Sequence, residues 1–226
     1  MDHGFGLDVP ETLAEVCRPE RLALLVYDMQ VGIASQLADG REVTRAVAGV
    51  LDAARAGGFR VFFTRHMSLP GEVAGVTQLR RAKMWQGVGR AADTVPAFPR
   101  DSPQFQIAPE IAPRSNEAIV DKITMSAFSG TYLDLALRDC GINSFVIAGI
   151  ALEVGIEPTV RHATDLGYIP IVATDACGFG DAAAAERALA GLAFAGDALQ
   201  IDCANIIAAF RRFGTNEASA SGGGQG

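Results

Sequence analysis

The chain has 226 residues, 49% of them hydrophobic, and a formal net charge of −7. Such a length and composition suit one domain with a large core, and the acidic balance argues against nucleic acid as a partner, because phosphate contact needs clustered Lys and Arg. No apolar run reaches the roughly 20 residues that a bilayer crossing needs, and the four cysteines (Cys17, Cys140, Cys177, Cys203) form no CxxC pair that would signal zinc or dithiol redox chemistry.

Residues 1–9 read as a loose arm and residues 10–16 as a short helix. The acidic start, without an apolar stretch, gives no expectation of a secretory leader, and free thiols suit a cytoplasmic setting. Leu22-Ala-Leu-Leu-Val-Tyr-Asp28 is a continuous apolar run ending in an acid, the pattern of a central parallel strand buried on both faces. Over residues 41–57, Val43, Val47, Val50, Leu51 and Ala54 recur at helical spacing before Gly57-Gly58. Residues 59–64 form the second strand, with Arg65 and His66 at its carboxyl end. Residues 67–116 hold six of the ten prolines and the only tryptophan, Trp85. They read as a long excursion with one short helix around 76–88, serving as a lid or an oligomer contact. The basic cluster Arg80-Arg81-Ala-Lys83 on it reads as a solvated face.

Residues 118–121 form a third strand with Lys122 just past its end, and residues 129–141 a helix capped by Ser129 or Thr131. A fourth strand (144–148) runs into a turn, and a helix restarts near Glu157 with Pro158 in its first turn, where the missing N–H costs nothing. A fifth strand (168–174) ends at Asp175. An Ala-rich helix (181–194), a sixth strand (198–201) and a last helix (203–213) follow. Strands alternating with helices in this order imply an α/β fold, a parallel sheet wrapped on both faces. One domain is expected over residues 1–213, and a disordered Gly/Ser-rich tail over 214–226.

Open α/β sheets bind ligands at the carboxyl ends of their strands. Asp28, Lys122 and the turn 150–155 all fall there. An acid beside a lysine in a cleft is a reasonable acid/base pair, and a strand-to-helix turn presents backbone N–H groups to developing negative charge. Spacing alone equally admits a structural salt bridge or a capping Asp. GxGxxG, GxxxxGK[ST] and GxSxG are all missing, which leaves dinucleotide, P-loop and nucleophile-elbow readings without their motifs.

Four ordered segments change that weighing. Leu24-Leu-Val-Tyr-Asp-Met-Gln30, Val61-Phe-Phe-Thr-Arg-His66, Asp121-Lys-Ile-Thr-Met-Ser-Ala-Phe-Ser-Gly-Thr131 and Val146-Ile-Ala-Gly-Ile-Ala-Leu-Glu-Val-Gly-Ile-Glu157 together resemble the isochorismatase-like hydrolase superfamily over roughly residues 20–210. The resemblance implies a Rossmann-like three-layer sandwich with a six-stranded parallel sheet, assembled as a homodimer or homotetramer. In amidase members it implies a triad of Asp, Lys and Cys at the positions of Asp28, Lys122 and Gly155, a cis peptide between Ile150 and Ala151, and an oxyanion hole from the N–H groups of Ala151 and Gly155.

Here the nucleophile position is glycine. The isochorismatases proper resemble this chain in that glycine and cleave a vinyl ether with no covalent intermediate. By that likeness Asp28 is the acid that protonates the vinyl carbon, Lys122 supports its proton balance, and Gly155 leaves room for substrate or water. Their turn typically carries an aromatic and a histidine where this chain has Ala151 and Glu153. Gln30, His66, Trp85, Phe128 and Glu153 are the substrate-binding candidates. Metal-using relatives pair an Asp-x-His arrangement with a second His, whereas this chain has only Arg65-His66 in that region, so neither metal nor other cofactor is expected. The expectation is a Cys-independent hydrolase acting on a small metabolite; the alternative is a catalytically silent relative that binds a small molecule or a protein partner.

Overall fold

The structure is a computed structural model and describes residues 1–220. Six strands build the main sheet: β3 (Leu22–Tyr27), β4 (Arg60–His66), β5 (Ala118–Lys122), β6 (Ser144–Ile150), β7 (Ile169–Gly178) and β8 (Leu199–Ile201). Their spatial order is β5-β4-β3-β6-β7-β8, and every pairing is parallel. The chain runs outward from β3 through β4 to β5, then crosses back to lay β6 on the other side of β3. The carboxyl ends of β3 and β6 therefore flank the point where the winding reverses, the place where open α/β sheets form their crevice.

All six residues of β3 and all seven of β6 are buried, as the continuous apolar runs require of central strands covered on both faces. The two-residue alternation of a strand divides them. Leu22, Leu24 and Val26 join the core under α3 (Gly40–Ala56) and α8 (Cys203–Ala220). Ala23, Leu25 and Tyr27 join the opposite core, with Leu133 and Leu137 of α5 (Leu133–Asp139), Val160 and Ala163 of α6 (Glu157–Asp165), and Ala185 and Leu192 of α7 (Ala182–Ala195). Burying each such aliphatic side chain contributes about 1.5–3 kcal/mol. The stripe read from 41–57 is buried in α3: Val43, Val47, Val50, Leu51 and Ala54. No helix among the described residues is long and apolar enough to cross a membrane.

Four elements depart from expectation. The N-terminal arm is a two-stranded antiparallel hairpin, β1 (Asp2–Gly4) with β2 (Leu7–Val9), preceding α1 (Leu13–Val16). α5 begins at Leu133, and Thr131 Oγ1 accepts from the Leu133 N–H at 3.2 Å from just outside the helix. β7 does not end at residue 174. After a register shift beside β6 it pairs on through Gly149↔Cys177 and Ile150↔Gly178, so Asp175 lies within the strand and its Oδ1 accepts the N–H of Cys203 at the start of α8. α8 itself continues to Ala220, and residues 221–226 of the expected tail lie outside the described residues.

Gly149 shows how tightly β3 and β6 approach at the crevice. Its φ is 139°, and a Cβ there would fall on the Tyr27 carbonyl oxygen, with the Tyr27 carbonyl carbon and nitrogen within 2.9 Å. The obstacle is backbone, which cannot swing aside. Gly149→Ala should therefore cost about 3 kcal/mol or more. The urea unfolding midpoint of the variant measures this, and an unchanged midpoint would contradict the close approach.

Candidate active site

Asp28 is the first residue past β3, 4% exposed, with a positive φ of 47°. Asp tolerates this left-handed conformation better than most side chains. Its carboxylate is held from two sides: Thr64 Oγ1 of β4 donates to Oδ1 at 2.6 Å, and Lys122 Nζ at the end of β5 donates to Oδ2 at 2.6 Å. Thr64 Oγ1 also accepts the Asp28 N–H at 3.1 Å. Each carboxylate oxygen can accept about two hydrogen bonds, so acceptor capacity remains toward the cavity that Asp28 lines.

Lys122 is 3% exposed. Its ammonium has three donors, and three acceptors meet them: Asp28 Oδ2, Tyr27 Oη at 2.8 Å and the Thr124 carbonyl at 3.1 Å. Burial pulls the lysine pKa below its usual value, while the Asp28 charge and hydrogen bond work the other way. The structure thus brings together the acid and the lysine picked out from the sequence, and it adds Thr64 and Tyr27. Thr64 had no signal beyond its place at a strand end. Tyr27 had no signal beyond its place in the buried apolar run of β3.

The second wall is the turn after β6. The Ile150–Ala151 peptide is cis, as the resemblance implied. Residues Leu152–Ile156 form a single π-helical turn that runs directly into α6. The N–H groups of Gly155 and Ile156 both point to Ala151 O, at 3.0 and 3.1 Å, so the Gly155 donor is engaged within the turn. Ala151, Glu153 and Gly155 line the same cavity as Tyr27 and Asp28, a space of about 430 Å³.

Of the other candidates, Glu153, His66 and Trp85 line that cavity. Glu153 Oε1 accepts the N–H groups of Gly180 and Asp181, and Oε2 is buried without a partner among the described residues. Trp85 comes from α4 (Val76–Gln86) and is half exposed. His66 Nδ1 is likewise buried and unpartnered. Burial lowers the His66 pKa to about 4, aided by the Lys122 and Arg81 charges and opposed by Asp28 and a hydrogen bond to the Thr124 backbone.

Gln30 and Phe128 are not at the cavity. Gln30 is fully buried; its Nε2 donates to the His66 and Phe105 carbonyls at 3.0 and 3.1 Å, and its Oε1 accepts the His66 N–H. With both amide N–H groups and the carbonyl oxygen engaged by backbone, it ties β4 to the 67–116 excursion, away from the cavity. Phe128 packs against Phe145, His162 and Tyr168 in the core. A second chamber of about 200 Å³ adjoins the first under the excursion, sharing His66, Trp85, Phe98 and Met125 and adding Arg81.

Cys177, the cysteine nearest in topology, is buried with its thiol pushed up to about 12 by that burial, so it is not a thiolate nucleophile. Among the described residues no group of three or more His, Cys, Asp or Glu side chains could hold a metal.

The model of the isochorismatase domain matches residues 22–202. The isochorismatase family protein YwoC of Bacillus subtilis is 44% identical over 79 residues, covering 35% of this chain and 41% of YwoC, well under two thirds of its length. The ureidoacrylate amidohydrolase RutB of Acinetobacter baylyi is 25% identical over 174 residues, 70% of this chain and 71% of RutB. A crystal structure of a cysteine hydrolase from Pseudomonas syringae pv. phaseolicola superposes with a TM-score of 0.74 at 25% identity, covering 87% of this chain and 95% of that one.

The buried His66 gives this site a stability signature. With the imidazole held neutral to about pH 4, the unfolded chain binds more protons here than the folded one between about 4 and 6.5, and stability rises with pH across that window. From about pH 7.5 to 4.5, wild type should lose about 2 kcal/mol more than His66→Gln, which carries no titrating ring. Urea unfolding of both proteins at the two pH values measures the difference; equal losses would show that His66 does not titrate in this way.

Proposed function

The chain belongs to the isochorismatase family of hydrolases, and from that premise we propose that it hydrolyses a small metabolite through Asp28, with water in place of a cysteine nucleophile. One observation carries the reading: the buried Asp28–Lys122 pair faces a cavity whose opposite wall, at the nucleophile position, is Gly155. That arrangement supports acid/base chemistry, and it offers no side chain at position 155 for a covalent route.

A vinyl ether suits such a cleft. The proton that Asp28 delivers to the vinyl carbon is drawn from Lys122 across their 2.6 Å contact. Water then adds to the oxocarbenium ion and returns a proton to the pair. The resulting hemiacetal collapses to a carbonyl compound and an alcohol. The pair starts and ends with the same single proton, so no external acid is consumed. The apolar walls from Ile33, Leu37, Phe98 and Met125 favour a cyclic or otherwise apolar body. Arg81 in the adjoining chamber, the one charged residue lining it among the described residues, favours an anionic group on that body.

A second reading is a silent relative that binds a small molecule without turning it over. It is favoured by the glycine at position 155 together with a lysine whose donors are all satisfied. A panel of cyclic vinyl ethers, small amides and ureido or carbamoyl compounds separates the two. Hydrolysis of a vinyl ether with a loss of about 10²–10⁴-fold in kcat/KM for Asp28→Asn supports the acid role. Full activity in that variant would sink it, and binding without turnover across the panel would support the silent relative.

The pH dependence has a defined sign. The pair is competent while it holds its proton and loses activity once Lys122 gives it up. Because burial lowers the lysine pKa, the alkaline limb of kcat/KM should fall below the roughly 10.4 of an ordinary lysine. A pH–rate profile flat through that region would exclude the shared-proton mechanism.

A further inference from the structure

Gly155 does not owe its identity to its own backbone. Its φ is not positive, so its conformation would accept an L side chain. The obstacle is Tyr27. A Cβ at position 155 would lie 2.6 Å from Tyr27 Cε1 and Cζ, and closer still to Oη, far inside van der Waals contact. Tyr27 in turn has little freedom to move. It is 1% exposed at the end of β3, its hydroxyl donates to the Met125 carbonyl and accepts from Lys122 Nζ at 2.8 Å, and the ammonium sits 4.3 Å from its ring centroid.

The phenol is thus wedged between the lysine and the turn, lining the cavity beside Asp28. Burial and the nearby Asp28 charge both hold its pKa well above the usual value, so the hydroxyl stays protonated and acts as a fixed dipole. It meets one of three ammonium donors; Asp28 and the Thr124 carbonyl meet the others.

We propose that Tyr27 is a positioning residue that aims the Lys122 ammonium at Asp28 and, by filling the space a side chain at 155 would need, excludes a covalent nucleophile from this cleft. The functional meaning of this assignment rests on the Asp28-centred hydrolysis proposed above. Its packing and electrostatic content does not.

Two measurements test it without a substrate. In the native background Gly155→Ala and Gly155→Cys should each lower Tm by roughly 5 °C or more, as overpacking against an immobile ring does. In a Tyr27→Leu background, or Tyr27→Val should that one not fold, the same changes at 155 should lose at least about half of the penalty. No penalty in the native background, or equal penalties in both, overturns the exclusion.

For the positioning role, the sequence holds only two lysines, Lys83 and Lys122, so NMR of ε-carbon-labelled lysine gives two assignable signals. Tyr27→Phe keeps the ring and removes the hydroxyl. The Lys122 titration midpoint should then fall by about half a pH unit or more, since the charged form loses an acceptor, with Lys83 unmoved. A Lys122 midpoint equal to that of wild type overturns the positioning role. Should Asp28→Asn prove fully active, the hydrolysis reading fails while these two results stand or fall on their own.

Discussion

The buried pair of Asp28 and Lys122 constrains everything around it. Two charges taken out of water cost several kcal/mol each, and their attraction repays this only when geometry is good and the remaining donors and acceptors are met. Here three adjacent strands end at one depth to meet that condition. β3 brings Tyr27 and Asp28, β4 brings Thr64, and β5 brings Lys122, in parallel register across Val26↔Phe63 and His66↔Lys122. The three lysine donors and both carboxylate oxygens find partners within 3.1 Å. A sheet slipped by one residue would turn each of these side chains to the other face, so the ion pair and the strand register depend on each other.

The crevice itself follows from winding order. Because the chain builds β3, β4 and β5 outward before returning to place β6, the helices that follow β3 and β6 leave on opposite faces of the sheet, and a gap opens between the two strand ends. The turn of residues 152–156 fills one side of that gap without closing it. The other side is held by Gln30, whose amide clamps the end of β4 and the Phe105 region of the long excursion. A fully buried primary amide held by three backbone hydrogen bonds is rigid, and it lies away from the cavity.

Much of this could be read from the chain alone, for identifiable reasons. β3 and β6 are apolar throughout, and α3 carries a clean helical stripe; burial on two faces or one leaves an unambiguous pattern. Asp28 and Lys122 stood out because each directly follows, or ends, such a run. The N-terminal hairpin did not stand out, because two three-residue strands, mostly exposed, leave no periodicity to detect. The run 168–174 followed by Asp175 has the pattern of a complete strand, whereas a register shift lets β7 continue past that acid. Gln30 and Phe128 lie away from the cavity although both sit beside a motif, because position near a motif says nothing of where a side chain's partners lie. Gln30 is spent on backbone and Phe128 on an aromatic cluster.

The glycine at position 155 is the feature a sequence reading handles least well, because a missing side chain carries no chemistry of its own to reason from. Its cause is 128 positions upstream, in a residue that one-dimensional pattern classes as ordinary core. Once Tyr27 and Gly155 are seen to occupy one volume, the absence of a thiol and the presence of a phenol become a single choice. A hydroxyl that meets a lysine donor cannot share its space with a sulfur that would attack a carbonyl. In this cleft the proposed choice of water over a covalent nucleophile is thus a matter of packing first, because the volume a side chain at 155 would need is already filled by the Tyr27 ring.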